Sequence, residues 1–296
     1  MNIQNIATEH AVPGDTTGAI APTLGIAPSK APVSGRIGSI IAAEVVAGFR
    51  AWPVWGVLGW DDIRQRYRRS VLGPFWITLS MGVFILLLSV IYSRLFHVDL
   101  ETYMPYLSAG LILWGFISAA TAESCQAFHE GNAIIKQIKL PYSVYILRVV
   151  WRNFIVFLHT IVIFIPVALV FKVTPSWVTL YVLPGLFLVW VNQIWVAMVL
   201  AILSTRYRDL LPIVTTTIQI AMFATPIMWP VSTLNGDTLI ADINPIYHVI
   251  ELVRAPMIGT APAPLSWLVA GGMAIVGCTA ATALLVRTAR RIVFWL

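Results

Sequence analysis

The stretch "RQRYRRSVLGPFW" (Arg64–Trp76) places four arginines within six residues, then turns through Gly73-Pro74 into the apolar run "ITLSMGVFILLLSVIY". Dense positive charge ends where hydrophobic sequence begins, so the stretch marks a boundary between water and hydrocarbon. An apolar segment of about 20 residues, at about 1.5 Å per residue, crosses a hydrocarbon core about 30 Å thick. Composition agrees with that reading: 58% of the 296 residues are hydrophobic and only 11% are charged. A soluble domain carries roughly 25% charge. The formal charge of +6 is scattered in small clusters between apolar runs. Nucleic-acid binding needs a concentrated basic surface instead, so no such partner is expected.

Working outward from Trp76, apolar stretches recur at residues 77–96, 106–122, 149–170, 178–203, 211–229 and 265–286. The expected fold is an all-α membrane protein with six transmembrane helices. Charge placement tests that count. With the N-terminus inside, thirteen basic residues fall in inside segments, from Arg64 to Arg291, and only Arg94, Lys172 and Arg254 fall outside. Inside loops keep Lys and Arg because translocating them is disfavoured. Both termini are therefore expected in the cytoplasm. Trp76, Trp151, Trp177 and Trp229 sit near predicted span ends, where interfacial rings are favoured. Residues 1–38, rich in Pro, Gly, Ala, Ser and Thr, read as a disordered cytoplasmic tail, and 39–296 as one membrane domain. Cys125 and Cys278 lie in or beside predicted spans and read as small buried hydrophobes, not a disulfide framework. No internal repeat supports an inverted-repeat transporter.

Before the arginines, Trp52, Gly56, Trp60, Ile63 and Tyr67 recur at helical spacing. They predict an amphipathic helix at the membrane interface, either an anchor or a docking surface for a cytoplasmic protein. In the first inside loop Asn132, Ile134, Ile135 and Ile138 suit one face of a short helix, with Lys136 and Lys139 elsewhere. The isoleucines meet a partner or the bundle's own end. Glu123, His129 and Glu130 do not make a metal-ligand motif, so no metal is expected. Arg206 and Asp209 are three apart, as are Glu251 and Arg254, and each pair is placed for an ion pair on a helix. Between spans five and six, two prolines should end or bend the fifth span. "NPIYHVIELVRAPM" then predicts a short helix with an apolar face of Ile246, Val249, Ile250 and Val253. It is too short to cross, hence re-entrant or a surface cap.

Six ordered blocks resemble the permease subunits of ABC exporters for cell-surface polysaccharides such as O-antigen, within the ABC-2 membrane family. They are "RYRRSVLGPFW" from Arg66, "YLSAGLILWGF" from Tyr106, "GNAIIKQIKLP" from Gly131, "STRYRDL" from Ser204, "ATPIMWP" from Ala224 and "NPIYHVIELVR" from Asn244. The resemblance implies a homodimer in the bacterial inner membrane, paired with two copies of a separate nucleotide-binding subunit that holds ATP and Mg. The substrate it implies is a lipid-linked glycan. It also implies a motor-docking surface that includes Trp52, Trp60, Ile63, Asn132, Ile135, Lys136 and Lys139. Tyr106, Trp114, Phe116 and Trp229 are its candidates for lining the glycan channel. The chain has no "GxxxxGK[ST]" phosphate cradle, so no cofactor and no ATPase chemistry are expected in it. Arg64, Arg66, Arg68 and Arg69 are placed to meet lipid or polyprenyl-linked phosphates, which guanidinium groups match bidentately. The alternatives are a permease of the same fold for a drug or simple lipid, and a membrane-embedded transferase for lipid-linked sugars.

Overall fold

The computed structural model describes residues 44–68, 75–234 and 238–296. The predicted N-terminal tail and Arg69 lie outside those residues. Every regular element among them is helical. Helical residues 44–50 (α1) and α2 (Trp52–Tyr67) lead into α3 (Phe75–Phe96) and α4 (Leu100–Ser124). Short α5 (Ala127–Glu130) and α6 (Asn132–Gln137) connect to α7 (Tyr142–Thr160) and α8 (Phe164–Val170). Then come α9 (Val182–Arg206), α10 (Leu210–Ala224), α11 (Leu239–Ile243), α12 (Pro245–Met257) and α13 (Pro264–Trp295).

Five segments are long and apolar enough to span a membrane: α3, α4, Tyr142–Val170, Trp177–Arg206 and α13. The chain is a multi-pass membrane protein. The fifth predicted span emerges shorter than expected. Its helix α10 has 15 residues, about 22 Å of rise, because Thr225-Pro226 ends it. Proline disfavours helical geometry in the residue before it. Within Tyr142–Val170, Pro166 cannot donate to the carbonyl of Val162. The helix tightens to a 3-10 turn over Ile161–Ile163 at that place.

Helix α4 is the centre of the bundle: 67% of its apolar window is buried, against 11% for α3. It packs on α3, α7, α9, α10 and α12, while α9 pairs most extensively with α13. Lipid tails are as apolar as leucine, so close backbone approach and buried polar contacts hold such a bundle together. Asn192 Nδ2 on α9 donates to the Ala270 carbonyl on α13 at 3.1 Å. Gln193 Nε2 donates to the Ile117 carbonyl on α4 at 3.2 Å. A Cβ on Gly185 would stand 2.4 Å from the Leu252 carbonyl oxygen, so α9 and α12 meet at backbone distance. Gly185→Ala should therefore separate these helices and cost about 1–3 kcal/mol. An unchanged thermal unfolding midpoint in detergent would sink that expectation.

Several helix limits differ from the sequence expectation. Helix α4 starts at Leu100 and α7 at Tyr142, six and seven residues earlier, and in their first turns the hydroxyls of Tyr103 and Ser143 donate to the carbonyls of Met228 and Glu44. Trp151 thereby falls mid-helix and packs edge-on against Trp55, with ring centroids 5.8 Å apart. Trp177 is 88% exposed, as an interfacial ring requires. Helix α9 ends at Arg206, so Asp209 is not on its face. The Arg206 guanidinium lies over the Trp295 ring instead, 5.4 Å from its centroid. Helix α12 forms as predicted: the Asn244 side chain caps the amides of Ile246 and Tyr247, and Pro245 occupies the first turn. Its Val249, Ile250 and Val253 are buried.

Candidate functional site

Two polar constellations lie at opposite ends of α4. The first gathers around Arg152, which is 5% exposed. Its Nη2 reaches Glu123 Oε2 at 2.8 Å and its Nε reaches the same oxygen at 3.2 Å. Its Nη1 is shared by Asp62 Oδ2 at 3.1 Å and Glu130 Oε2 at 3.3 Å. Asp62 also takes the fork of Arg148, with Nε–Oδ2 at 2.8 Å and Nη2–Oδ1 at 2.5 Å. Glu123 is completed by Arg66 Nη2 at 3.0 Å and Asn153 Nδ2 at 2.7 Å. Three carboxylates thus face three guanidinium groups, so formal charge balances inside the cluster. Planar guanidinium groups carry five fixed donors, which is why one arginine can hold three acids.

The local folding explains the convergence. On α2, Trp55, Gly59 and Asp62 recur at spacings of four and three, making one face. On α7, Arg148, Trp151 and Arg152 do the same. A Cβ on Gly59 would lie 3.0 Å from the Trp151 ring, so α2 crosses α7 closely enough for Asp62 to reach both arginines. Helix α4 brings Glu123 in its last turn, and α5 brings Glu130. Gly131 then seats α6 on α7, since a Cβ there would be 2.5 Å from the Tyr145 ring. The cluster therefore ties α2, the α5–α6 segment, α4 and α7 into one unit. Beside it the Tyr67 hydroxyl is buried with no partner among the described residues, and burial pushes its phenol above the ordinary range.

The second constellation surrounds Arg254 on α12, which is 1% exposed. Its Nε and Nη2 meet Glu251 Oε2 at 2.7 and 2.6 Å, the ion pair expected from the sequence. Its Nη1 donates to the Pro226 carbonyl at 2.6 Å, and its guanidinium lies 4.0 Å from the centroid of the Tyr106 ring. Tyr106 Oη donates to the Pro226 carbonyl at 2.9 Å, and Tyr103 Oη donates to the Met228 carbonyl. Residues 225–230, following α10, are thereby fastened to α4 and α12.

The family described as "ABC-2 type transporter" matches residues 53–258, which takes in both constellations. The chain belongs to the ABC-2 type transporter family. Among curated relatives of this ABC-2 chain is the O-antigen export system permease protein RfbA of Myxococcus xanthus. It is 24% identical over 203 residues, covering 66% of this chain and 76% of that protein. Two Klebsiella pneumoniae proteins with the same description are 28% and 26% identical. In both cases the match covers 57% of this chain and 65% of the relative's length.

The ABC-2 fold distributes the sequence-predicted site residues unevenly. Trp52 and Trp60 stand exposed, at 65% and 50%, whereas Ile63 from the same stripe is buried. On α6, Lys136 is exposed, as is Lys139 just beyond it, and Ile135 packs partly on the core. Asn132 buries its Oδ1 without a partner among the described residues. Arg66 is committed to Glu123, while Arg64 and Arg68 line an exposed cleft with Asp61 and Gln65. Tyr106 and Trp229 come together, since Tyr106 Oη also reaches the Trp229 carbonyl at 3.4 Å. Phe116 is buried between Phe154 and Phe157, and Trp114 borders a separate cavity of about 280 Å³. Sequence reasoning did not anticipate Asp62, Arg148, Arg152 or Tyr103. The available signal was ionisable residues inside an apolar helix, which are costly there unless paired or functional.

Proposed function

We propose that this chain is the membrane subunit of an ATP-driven exporter that moves a lipid-linked polysaccharide, such as O-antigen, across the bacterial inner membrane. It works as a homodimer of six-span subunits with both termini in the cytoplasm. Two copies of a separate nucleotide-binding subunit bind and hydrolyse ATP. The observation that carries this reading is the family match together with relatives described as O-antigen export permeases. In this reading the exposed face of α2, with Trp52 and Trp60, and the α6 loop, with Lys136 and Lys139, receive the motor. Ile63 supports that surface from beneath. The Arg152 cluster sits directly behind it. A displacement of α2 or of the α5–α6 loop then reaches α4 and α7 through buried charge pairs, which do not part without cost. On the same side Arg64 and Arg68 offer charge to the diphosphate of the carrier lipid, and Arg69, next in sequence, adds to it.

The test is genetic and biochemical. Removing this chain should leave lipid-linked glycan trapped inside, and normal surface display would overturn the export reading. The doubly substituted Arg68→Ala, Arg69→Ala protein should insert and dimerise yet export poorly. Failure to insert would instead reduce these arginines to topology signals.

A further inference from the structure

A pocket of about 290 Å³ opens beside Arg254, at the end of α4 away from the Arg152 cluster. Its walls include Tyr103, Tyr106, Tyr247, Thr102, Ser232 and Glu251. The volume lies near the low end for small-ligand pockets and suits one ring, not a chain. We infer that this pocket binds a single neutral sugar ring. Its outward placement rests on the export reading above; its chemistry does not.

The bonding capacity of the lining selects the ligand. Arg254 is spent on Glu251, the Pro226 carbonyl and the Tyr106 ring. Its charge is thereby cancelled, and an anion gains little by entering. Both Arg254 contacts to Glu251 fall on Oε2. The other carboxylate oxygen has no hydrogen-bond partner among the described residues, so it can accept from a ligand hydroxyl. The hydroxyls of Thr102, Ser232 and Tyr247 likewise have no partner among the described residues, while those of Tyr103 and Tyr106 are held by backbone carbonyls. A ligand with many hydroxyls and no charge satisfies this set. An apolar lipid chain would leave the polar groups unpaired, at a cost for each one desolvated. Tyrosine rings in the wall add a second preference. The electron-poor C–H face of a pyranose lies well against an electron-rich aromatic face.

The experiment uses the full chain in phospholipid nanodiscs free of glycoside detergent, which would itself compete for the pocket. Saturation-transfer NMR is recorded with a panel of neutral methyl pyranosides, and with glycerol and inorganic phosphate alongside. At least one pyranoside should receive saturation. Thr102→Val and Tyr247→Phe should each weaken it about fivefold, the effect of one net hydrogen bond. Thr102→Trp, which fills the exposed mouth, should abolish it. Equal transfer in the wild type and the Thr102→Trp protein would overturn the assignment. So would a response to phosphate exceeding that to every sugar, or no transfer to any of them. None of these results bears on surface display in a strain lacking the chain, so the pocket and the export reading fail separately.

Discussion

Arg152→Met should be among the most damaging single substitutions in this protein. It would leave Asp62, Glu123 and Glu130 around a position that no longer carries charge. Removing one partner of a buried ion pair typically costs about 3–5 kcal/mol, most of it from the acids left behind. The value should lie toward the lower end, because Glu130 is 38% exposed and can turn to water. Glu123 keeps Arg66, and Asp62 keeps Arg148. The measurement is thermal or denaturant unfolding in one detergent, compared with Arg152→Lys. Lysine restores the charge but lacks the planar fork, so it can serve one acid well and not three. Its loss should be intermediate. A methionine variant that unfolds like wild type would show that the cluster contributes nothing.

The same comparison separates stability from transmission. If α2 and the α5–α6 loop receive the motor as proposed and the cluster joins them to α4 and α7, the lysine variant should assemble with the nucleotide-binding subunit and the complex should hydrolyse ATP. Its export per ATP should be depressed. Equal loss of hydrolysis and export would instead locate the defect in docking.

How much of this was legible beforehand depended on sequence distance. Apolar runs are local, and five of them proved long enough to span. The cap at Asn244 and the Glu251–Arg254 pair are local too, and both form. The Arg152 cluster is assembled from residues 22 to 90 apart in the chain, with no spacing rule to connect them. Glu123, His129 and Glu130 could be weighed only as a poor metal set, because the true partners of the two glutamates lay on α2 and α7. The start of α7 was hidden for the same reason. Arg148, Arg152 and Asn153 lower the apparent hydrophobicity of a helix that is well buried once they are paired. The stripe on α2 misled in a different way. Periodicity gives a face but not what covers it: Ile63 lies over α7, while Trp52 extends beyond the packed region and stays exposed.

At the other end of α4, Arg254→Met should produce the second large effect. The arginine is fully enclosed, so its removal strands the Glu251 carboxylate and takes a donor from the Pro226 carbonyl. It also ends the contact with the Tyr106 ring, where cation–π attraction can reach about 2 kcal/mol when desolvated. A loss of about 3–5 kcal/mol is expected. Glu251→Gln should cost less, since the amide still offers an oxygen to the guanidinium. In the Arg254→Met, Glu251→Gln double substitution the stranded charge is gone, and the total should fall short of the sum by about 0.5–3 kcal/mol. Strict additivity would mean that the two side chains do not stabilise one another, leaving the Pro226 carbonyl and the Tyr106 ring as the contacts through which Arg254 acts, with Tyr103 and Tyr106 holding the same segment from α4. Tyr106→Phe distinguishes those cases. It removes the bond to the Pro226 carbonyl but keeps the ring beneath Arg254, so it should cost only about 1 kcal/mol. A much larger loss would make the tyrosine hydroxyl, and not the buried arginine, the principal fastening between α4 and the segment that follows α10.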